Sequence, residues 1–317
     1  MASSGKRDLM VRGLSGAALA AVLLATGASA AGPGAGAPAP PASAPAAVHE
    51  VVVEGQAPKA VRERQLQAFV TRVPARNNGE GLARWTTPIC PVVVGMTEQQ
   101  GEYVLARIVQ VARAAGAPVI DDGRCEADLY IVASADPGGL VKALGRRSPG
   151  VFATAPAAEV RRFLETPRPV RAWYKARLDR LTTGIDSPFE GLPGLASNVP
   201  VIHHAVDTRL STNSPYALAV AIVVVDSGRV EGFKVGALAD YLAMASLAQL
   251  QPDADVGGAP SILNLFSAAE ANRPQGLTGW DAAFLHALYH TPMEDRHQAS
   301  AIAARMDKDI AHGDPGR

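Results

Sequence analysis

The chain lacks the features that identify most large functional classes. Its 317 residues contain two cysteines and 5% aromatic residues, and 30 basic residues balance 30 acidic ones. A formal net charge of zero gives no overall attraction to nucleic acid, so we expect no nucleic-acid partner. The sequence also contains no P-loop and no G-x-S-x-G elbow, the patterns typical of nucleotide binding and of serine hydrolases.

The first thirty residues have the three parts of a cleavable signal peptide. Basic residues Lys6, Arg7 and Arg12 precede an uncharged apolar run at 14–24, and a run of small residues ends at Ala30. The apolar run is about half the roughly 20 residues of a spanning helix, which favours cleavage after Ala30 over a membrane anchor. We therefore expect a periplasmic or secreted protein with no transmembrane segment after signal cleavage.

Removing this segment leaves 27 basic and 29 acidic residues. Residues 31–47 contain only Ala, Gly, Pro and Ser, a composition that predicts a disordered linker. We assign 48–84 to an N-terminal extension, 85–292 to a single globular domain and 293–317 to a charged tail. Ile302, Met306 and Ile310 lie at four-residue spacing in that tail and predict a marginal surface helix.

The two cysteines, Cys90 and Cys125, form an even set in a chain directed to an oxidising compartment, which favours a structural disulfide. Closing such a loop stabilises a fold by roughly 3–4 kcal/mol in the chain-entropy model. Two alternatives stay open. A metal site would need further His or Cys ligands, and a redox pair usually has the spacing C-x-x-C.

The best-specified part of the domain is a β-α-β unit. An apolar run at 89–94 predicts a buried strand, and Thr97 and Gln100 form a capping box for a helix that ends at Gly116. A second apolar run, at 129–133, predicts the next strand.

The rest of the chain predicts an α+β (mixed α/β) domain with a central sheet and packed helices. The predicted helices lie around residues 140–144, 157–164, 235–250 and 278–289, and the strands at 170–175 and 216–225, the latter central. Thr278 and Asp281 form a second capping box.

Two clusters of histidine could carry chemistry. His286 and His290 are four residues apart on a predicted helix, a spacing that suits a metal, but the Glu of H-E-x-x-H is replaced by Ala287. An ordinary histidine pair is therefore favoured over a zinc site. Glu294, Asp295 and His297 follow as unspecific candidate ligands.

The second cluster is His203, His204 and Asp207, which follow a loop at 182–200 rich in Gly and Pro. Adjacent histidines on a strand point to opposite faces and cannot easily share a metal. One could act as a base, yet no nucleophile motif accompanies it, so a structural or solvated histidine is favoured.

Seven basic residues lie between Arg161 and Arg180, with Trp173 and Tyr174 among them. Arg171 and Lys175 could contact an anionic component of the cell envelope. A solvated sheet face with long aliphatic stems is the more common explanation of such a pattern.

Several segments resemble a family of bacterial exported proteins of unknown function related to zincin-type metallopeptidases. They lie at 89–95, 127–132, 226–250, 261–266 and 277–281. In zincins the helix after the central strand carries H-E-x-x-H, whereas residues 238–245 read L-A-D-Y-L-A-M-A, without His or Glu. The resemblance implies a zincin-like fold and a descendant without catalytic activity, and no zinc ligand carries over.

These patterns predict an exported, disulfide-linked domain that binds a partner or associates with the envelope. We expect no catalytic residue, no cofactor and no metal ligand. The competing hypothesis is an unrecognised hydrolase using His203, Asp207 or the long loop, or a degenerate metallopeptidase-like enzyme.

Overall fold

Helices surround a four-stranded sheet, so the predicted α+β class is confirmed. The computed structural model describes residues 59–77, 81–120, 125–153, 155–178, 216–251, 256–293 and 297–313. Within these ranges the helices are α1 (Lys59–Arg72), α2 (Glu98–Ala115), α3 (Pro137–Arg147), α4 (Ala157–Glu165), α5 (Val235–Leu247), α6 (Gly279–His290) and α7 (Gln298–His312). The strands are β1 (Arg76–Asn77), β2 (Gly81–Leu82), β3 (Pro91–Val94), β4 (Leu129–Ser134), β5 (Val170–Leu178) and β6 (Tyr216–Asp226).

The main sheet has the strand order β3-β4-β6-β5. Strands β3, β4 and β6 are parallel, with Val94 beside Val132 and Val132 beside Val224, and β5 is antiparallel to β6. Parallel strands are covered on both faces and therefore read as continuous apolar runs. This pattern is why β6 could be predicted as a central strand.

Side chains of alternate residues enter two separate cores. Ile131 and Val223 face the larger core, which is shared with α1, α2, α5, α6 and α7. Tyr130 and Ile222 face the smaller core, where Phe152 packs on Trp173 with ring centroids 4.8 Å apart. Because a strand alternates its side chains, the sheet separates two helical layers.

Local capping signals begin the two best-predicted helices where expected. The Thr97 side chain accepts from the backbone N–H of Gln100, and the Gln100 side chain accepts from the backbone N–H of Thr97. Gly116, with φ 78°, caps the other end of α2. Thr278 and Asp281 make the same reciprocal pair at the start of α6. None of the described helices is long and apolar enough to cross a membrane.

The first and last described helices pack against the body of the domain. Helix α1 lies in the predicted extension, 48–84, and α7 in the predicted tail, 293–317. Yet Phe69 of α1 and Met306 of α7 are buried in the larger core. Apolar residues at three- and four-residue spacing give each helix one face to bury. Helix α7 thus packs one face firmly on the core, whereas the sequence predicted only a marginal surface helix.

The two cysteines form the predicted disulfide, with Cα atoms 5.8 Å apart. Cys90 directly precedes β3, and Cys125 lies in the connection that leads to β4. The backbone N–H of Cys90 also donates to Asp128 at 2.8 Å. The bridge therefore ties the beginnings of two neighbouring strands together. The predicted signal peptide, its cleavage site at Ala30 and the linker at 31–47 lie outside the described residues.

Candidate functional site

Strand β5 lines a groove of about 780 Å³, which we name the β5 groove. Within the described residues β5 pairs only with β6, so its other edge faces this space. Helix α4 contributes one wall, and the end of α5 contributes the other. The lining includes Glu159, Arg162, Arg168, Arg171, Trp173, Tyr174, Lys175, Tyr241 and Leu250. Its volume lies within the range of about 300–1,000 Å³ that is typical of ligand pockets.

Arg171 is buried without an ion pair to any described carboxylate. Only 6% of the Arg171 surface is exposed to solvent. Its Nη1 donates to the carbonyl oxygens of Phe163 and Leu164 in the last turn of α4, both at 3.4 Å. Its Nε has no hydrogen-bond partner within the described structure. Burial lowers the pKa of Arg171, which means that the charged form lacks full compensation.

Two neighbouring arginines add to the positive charge. Arg168 and Arg229 lower the pKa of Arg171 further by repulsion, whereas Asp226 raises it. Asp226 is already engaged by its own turn: Oδ1 accepts from the backbone of Gly228 and Arg229, and Oδ2 lies 3.3 Å from Arg229 Nε. This cluster lies at the carboxyl end of β6, the edge at which open α/β sheets bind ligands.

The predicted solvated basic face is wrong at Arg171, because α4 covers this side of β5. Phe163 of α4 packs on Trp173, with ring centroids 5.4 Å apart. Lys175 is only partly exposed, and its Nζ donates to the carbonyl of Gly150 at 3.4 Å. The sequence correctly places Arg171 and Lys175 on one face of a strand, but that face is a wall of the groove.

The opposite wall is mainly aromatic. Tyr174 donates its hydroxyl to the carbonyl of Ala245 at 2.7 Å, and burial raises its pKa. Burial also raises the pKa of Tyr241 to about 12, an effect that the nearby Arg168 opposes. Both phenols are therefore neutral at physiological pH. This wall offers apolar contact and hydroxyl groups to a ligand. Arg168 adds a positive charge near Tyr241, whereas the guanidinium of Arg171 lies on the α4 side.

No protein-family model matches this chain, and no curated protein or solved structure matches it. The resemblance to exported zincin-related proteins therefore stays a prediction. In the structure residues 238–245 form the middle of α5, which is a largely buried helix.

The histidine pair on α6 is engaged by neighbouring groups. His286 Nδ1 lies 2.8 Å from Asp309 Oδ2 of α7, and His290 Nδ1 lies 2.9 Å from the carbonyl oxygen of His286. The two imidazole centroids are 4.1 Å apart. Across the described ranges no group of three or more His, Cys, Asp or Glu side chains is placed to hold a metal ion.

The second histidine cluster lies outside the described residues, so its chemistry is untested. This applies to His203, His204 and Asp207, and to the loop at 182–200. Glu294 and Asp295 also lie outside them.

Sequence reasoning missed one buried acid, Asp240, and one partly buried acid, Asp128. Asp240 of α5 accepts from Arg107 Nε of α2 and, through Oδ2, from the N–H of Leu277 at 2.7 Å. Burial raises the pKa of Asp128 to about 7, and its carboxylate accepts from Cys90. An acidic residue inside an otherwise apolar segment is the sequence pattern that could have predicted them. Asp281 gave that signal too, and its capping box predicted its role.

Proposed function

We propose that this chain is an exported binding domain whose ligand carries a negative charge and occupies the β5 groove. The observation that carries the proposal is the buried guanidinium of Arg171, which lines the groove and makes no ion pair with a described carboxylate. Removing an unpaired charge from water costs several kcal/mol, so buried charges are normally paired. A ligand carboxylate, phosphate or sulfate would supply the missing anion.

The composition of the groove supports binding of such a group. A guanidinium presents its N–H groups in a planar fork that matches the oxygens of a carboxylate or phosphate. Arg168 lies close enough to Arg171 to perturb its pKa, so a second cation supports the first. Trp173 and Tyr174 add rigid apolar area on either face of β5.

Export gives the expected setting of this function. The disulfide between Cys90 and Cys125 is typical of oxidising compartments. Residues 1–30 have the pattern of a signal peptide that is cleaved after Ala30. We therefore propose a periplasmic or secreted protein, with an anionic component of the cell envelope as its ligand and no nucleic-acid partner.

Calorimetric titration of residues 31–317 with citrate and with inorganic phosphate tests the proposal. Sodium chloride at equal ionic strength serves as the reference, because it screens charge without a polyvalent anion. We expect saturable heat with at least one of the two anions in the wild-type protein. Arg171→Met should abolish this signal.

Arg161→Met is the matched control, since Arg161 is an exposed arginine on α4. It removes one positive charge from the helix beside β5 without changing a described lining residue of the groove, so it should leave the titration unchanged. Equal responses of both variants, or no response of the wild-type protein to either anion, would overturn the proposal.

A further inference from the structure

The hydrogen-bond pattern of β5 shows which of its backbone groups face the groove. Val170 stands opposite Val225 in the antiparallel register. The N–H of Asp226 donates to the carbonyl of Pro169 at 2.9 Å. Asp226 and Pro169 flank the Val170–Val225 pair, one residue on each strand. Val170 and Val225 therefore form a non-hydrogen-bonded pair, in which the N–H and C=O groups of each residue point away from the partner strand.

The alternation extends along the strand as far as the register shift after Lys175. Arg171, Trp173 and Lys175 direct their backbone groups to β6. Val170, Ala172 and Tyr174 direct theirs to the edge that no described strand pairs with, and all three residues line the β5 groove. The groove thus presents a row of backbone donors and acceptors, the arrangement to which a further strand can pair.

The two walls of the groove differ in charge and polarity, and this difference determines which side chains an added strand would need on each face. Arg171 and Lys175 lie on the α4 side, whereas Tyr174 lies on the side of Tyr241 and Leu250. Among the described residues, the charged lining consists of four basic residues and one acid: Arg162, Arg168, Arg171, Lys175 and Glu159. Because a strand alternates its side chains between two faces, acidic residues would meet the first wall and apolar residues the second.

We propose that the β5 groove binds an extended peptide of alternating acidic and apolar residues, which adds to the sheet beside β5. This inference rests on the proposed function and specifies its ligand. An acidic side chain of the peptide is the anion for Arg171, and the backbone of Val170, Ala172 and Tyr174 provides the pairing edge. Among the described residues, basic side chains and a strand edge without a partner strand lie in one groove, and an extended acidic peptide complements both.

The test uses a labelled peptide, acetyl-Glu-Val-Glu-Val-Glu-Val-amide, in fluorescence anisotropy with residues 31–317. Two derivatives carry N-methyl groups on the three Val or on the three Glu residues. In a paired strand only alternate N–H groups face β5, so one derivative should bind about tenfold or more weakly and the other nearly as well as the parent. A block peptide, Glu-Glu-Glu-Val-Val-Val, controls for composition and should bind weakly.

Amide hydrogen exchange followed by NMR adds a site-specific readout. Exchange at Val170, Ala172 and Tyr174 should slow when the alternating peptide binds. Arg171 and Trp173, whose amides already bond to β6, serve as internal controls and should change little.

The possible results separate this inference from the proposed function. Equal binding of both N-methylated peptides and of the block peptide would overturn strand addition and leave an anion site. Binding of citrate or phosphate without any binding of peptide would also overturn strand addition and leave an anion site. Tighter binding of an acidic oligosaccharide such as tetragalacturonate than of the alternating peptide would do the same. Failure of every anion and every peptide would overturn both.

Discussion

Replacing Asp128 by Asn should stabilise the protein above neutral pH and change little in acid. Asp128 is largely buried beside the disulfide, and burial raises its pKa from an ordinary 3.8 to about 7. The charged form is thus disfavoured in the folded state. The neutral carboxyl of Asp128 therefore stabilises the folded state fully below pH 3.8, and this stabilisation is lost as the pH rises through 7. At 1.36 kcal/mol per pKa unit, the loss at high pH approaches about 4 kcal/mol.

The asparagine variant keeps an oxygen that can accept from the N–H of Cys90 but carries no charge. Urea unfolding of wild-type and Asp128→Asn protein, with the disulfide intact, should give similar free energies near pH 4. At pH 8.5 the variant should be more stable, by up to about 4 kcal/mol. Glu126→Gln, at an exposed acid two residues away, is the control. A difference between Asp128→Asn and wild type that does not change with pH would refute the reasoning.

Three further predictions concern the framework. Replacing Cys90 and Cys125 by Ser should lower the free energy of unfolding by about 4 kcal/mol, measured with urea, because the bridge spans a sequence separation of 35. Gly116→Ala should lower it by about 1–2 kcal/mol, since φ is 78° there and the new Cβ would lie 2.5 Å from the ring of His290. Adding a zinc chelator should leave the melting temperature unchanged if His286 and His290 are an ordinary pair; a fall of several degrees would revive the zinc site.

Local chemistry explains the parts of the fold that the sequence predicted. A capping box requires residues three positions apart, so Thr97 with Gln100 and Thr278 with Asp281 could be identified without knowledge of the fold. The long apolar run of β6 identified a central strand in the same way, because a buried parallel strand needs no polar alternation.

Tertiary contacts decide the features that the sequence could not predict. The alternation around Arg171 revealed a strand but not that α4 would cover one of its faces and bury the guanidinium. The stripe of Ile302 and Met306 revealed a helix, whereas its burial depends on contacts with α1 and α6. The groove itself arises where β5 meets the neighbouring helix α4 and also α5, which is distant in sequence, so only its charged residues could be proposed beforehand.

The most direct test of the account compares the free energy of unfolding of wild-type and Arg171→Met protein with and without citrate. Without the anion the methionine variant should be equally stable or more stable, because it removes a buried charge held by two long hydrogen bonds. At citrate concentrations about 100 times the dissociation constant, the wild-type protein alone should gain about 2.7 kcal/mol. A variant that is less stable than wild type by the same amount in both conditions would contradict the account and make Arg171 a structural cap of α4.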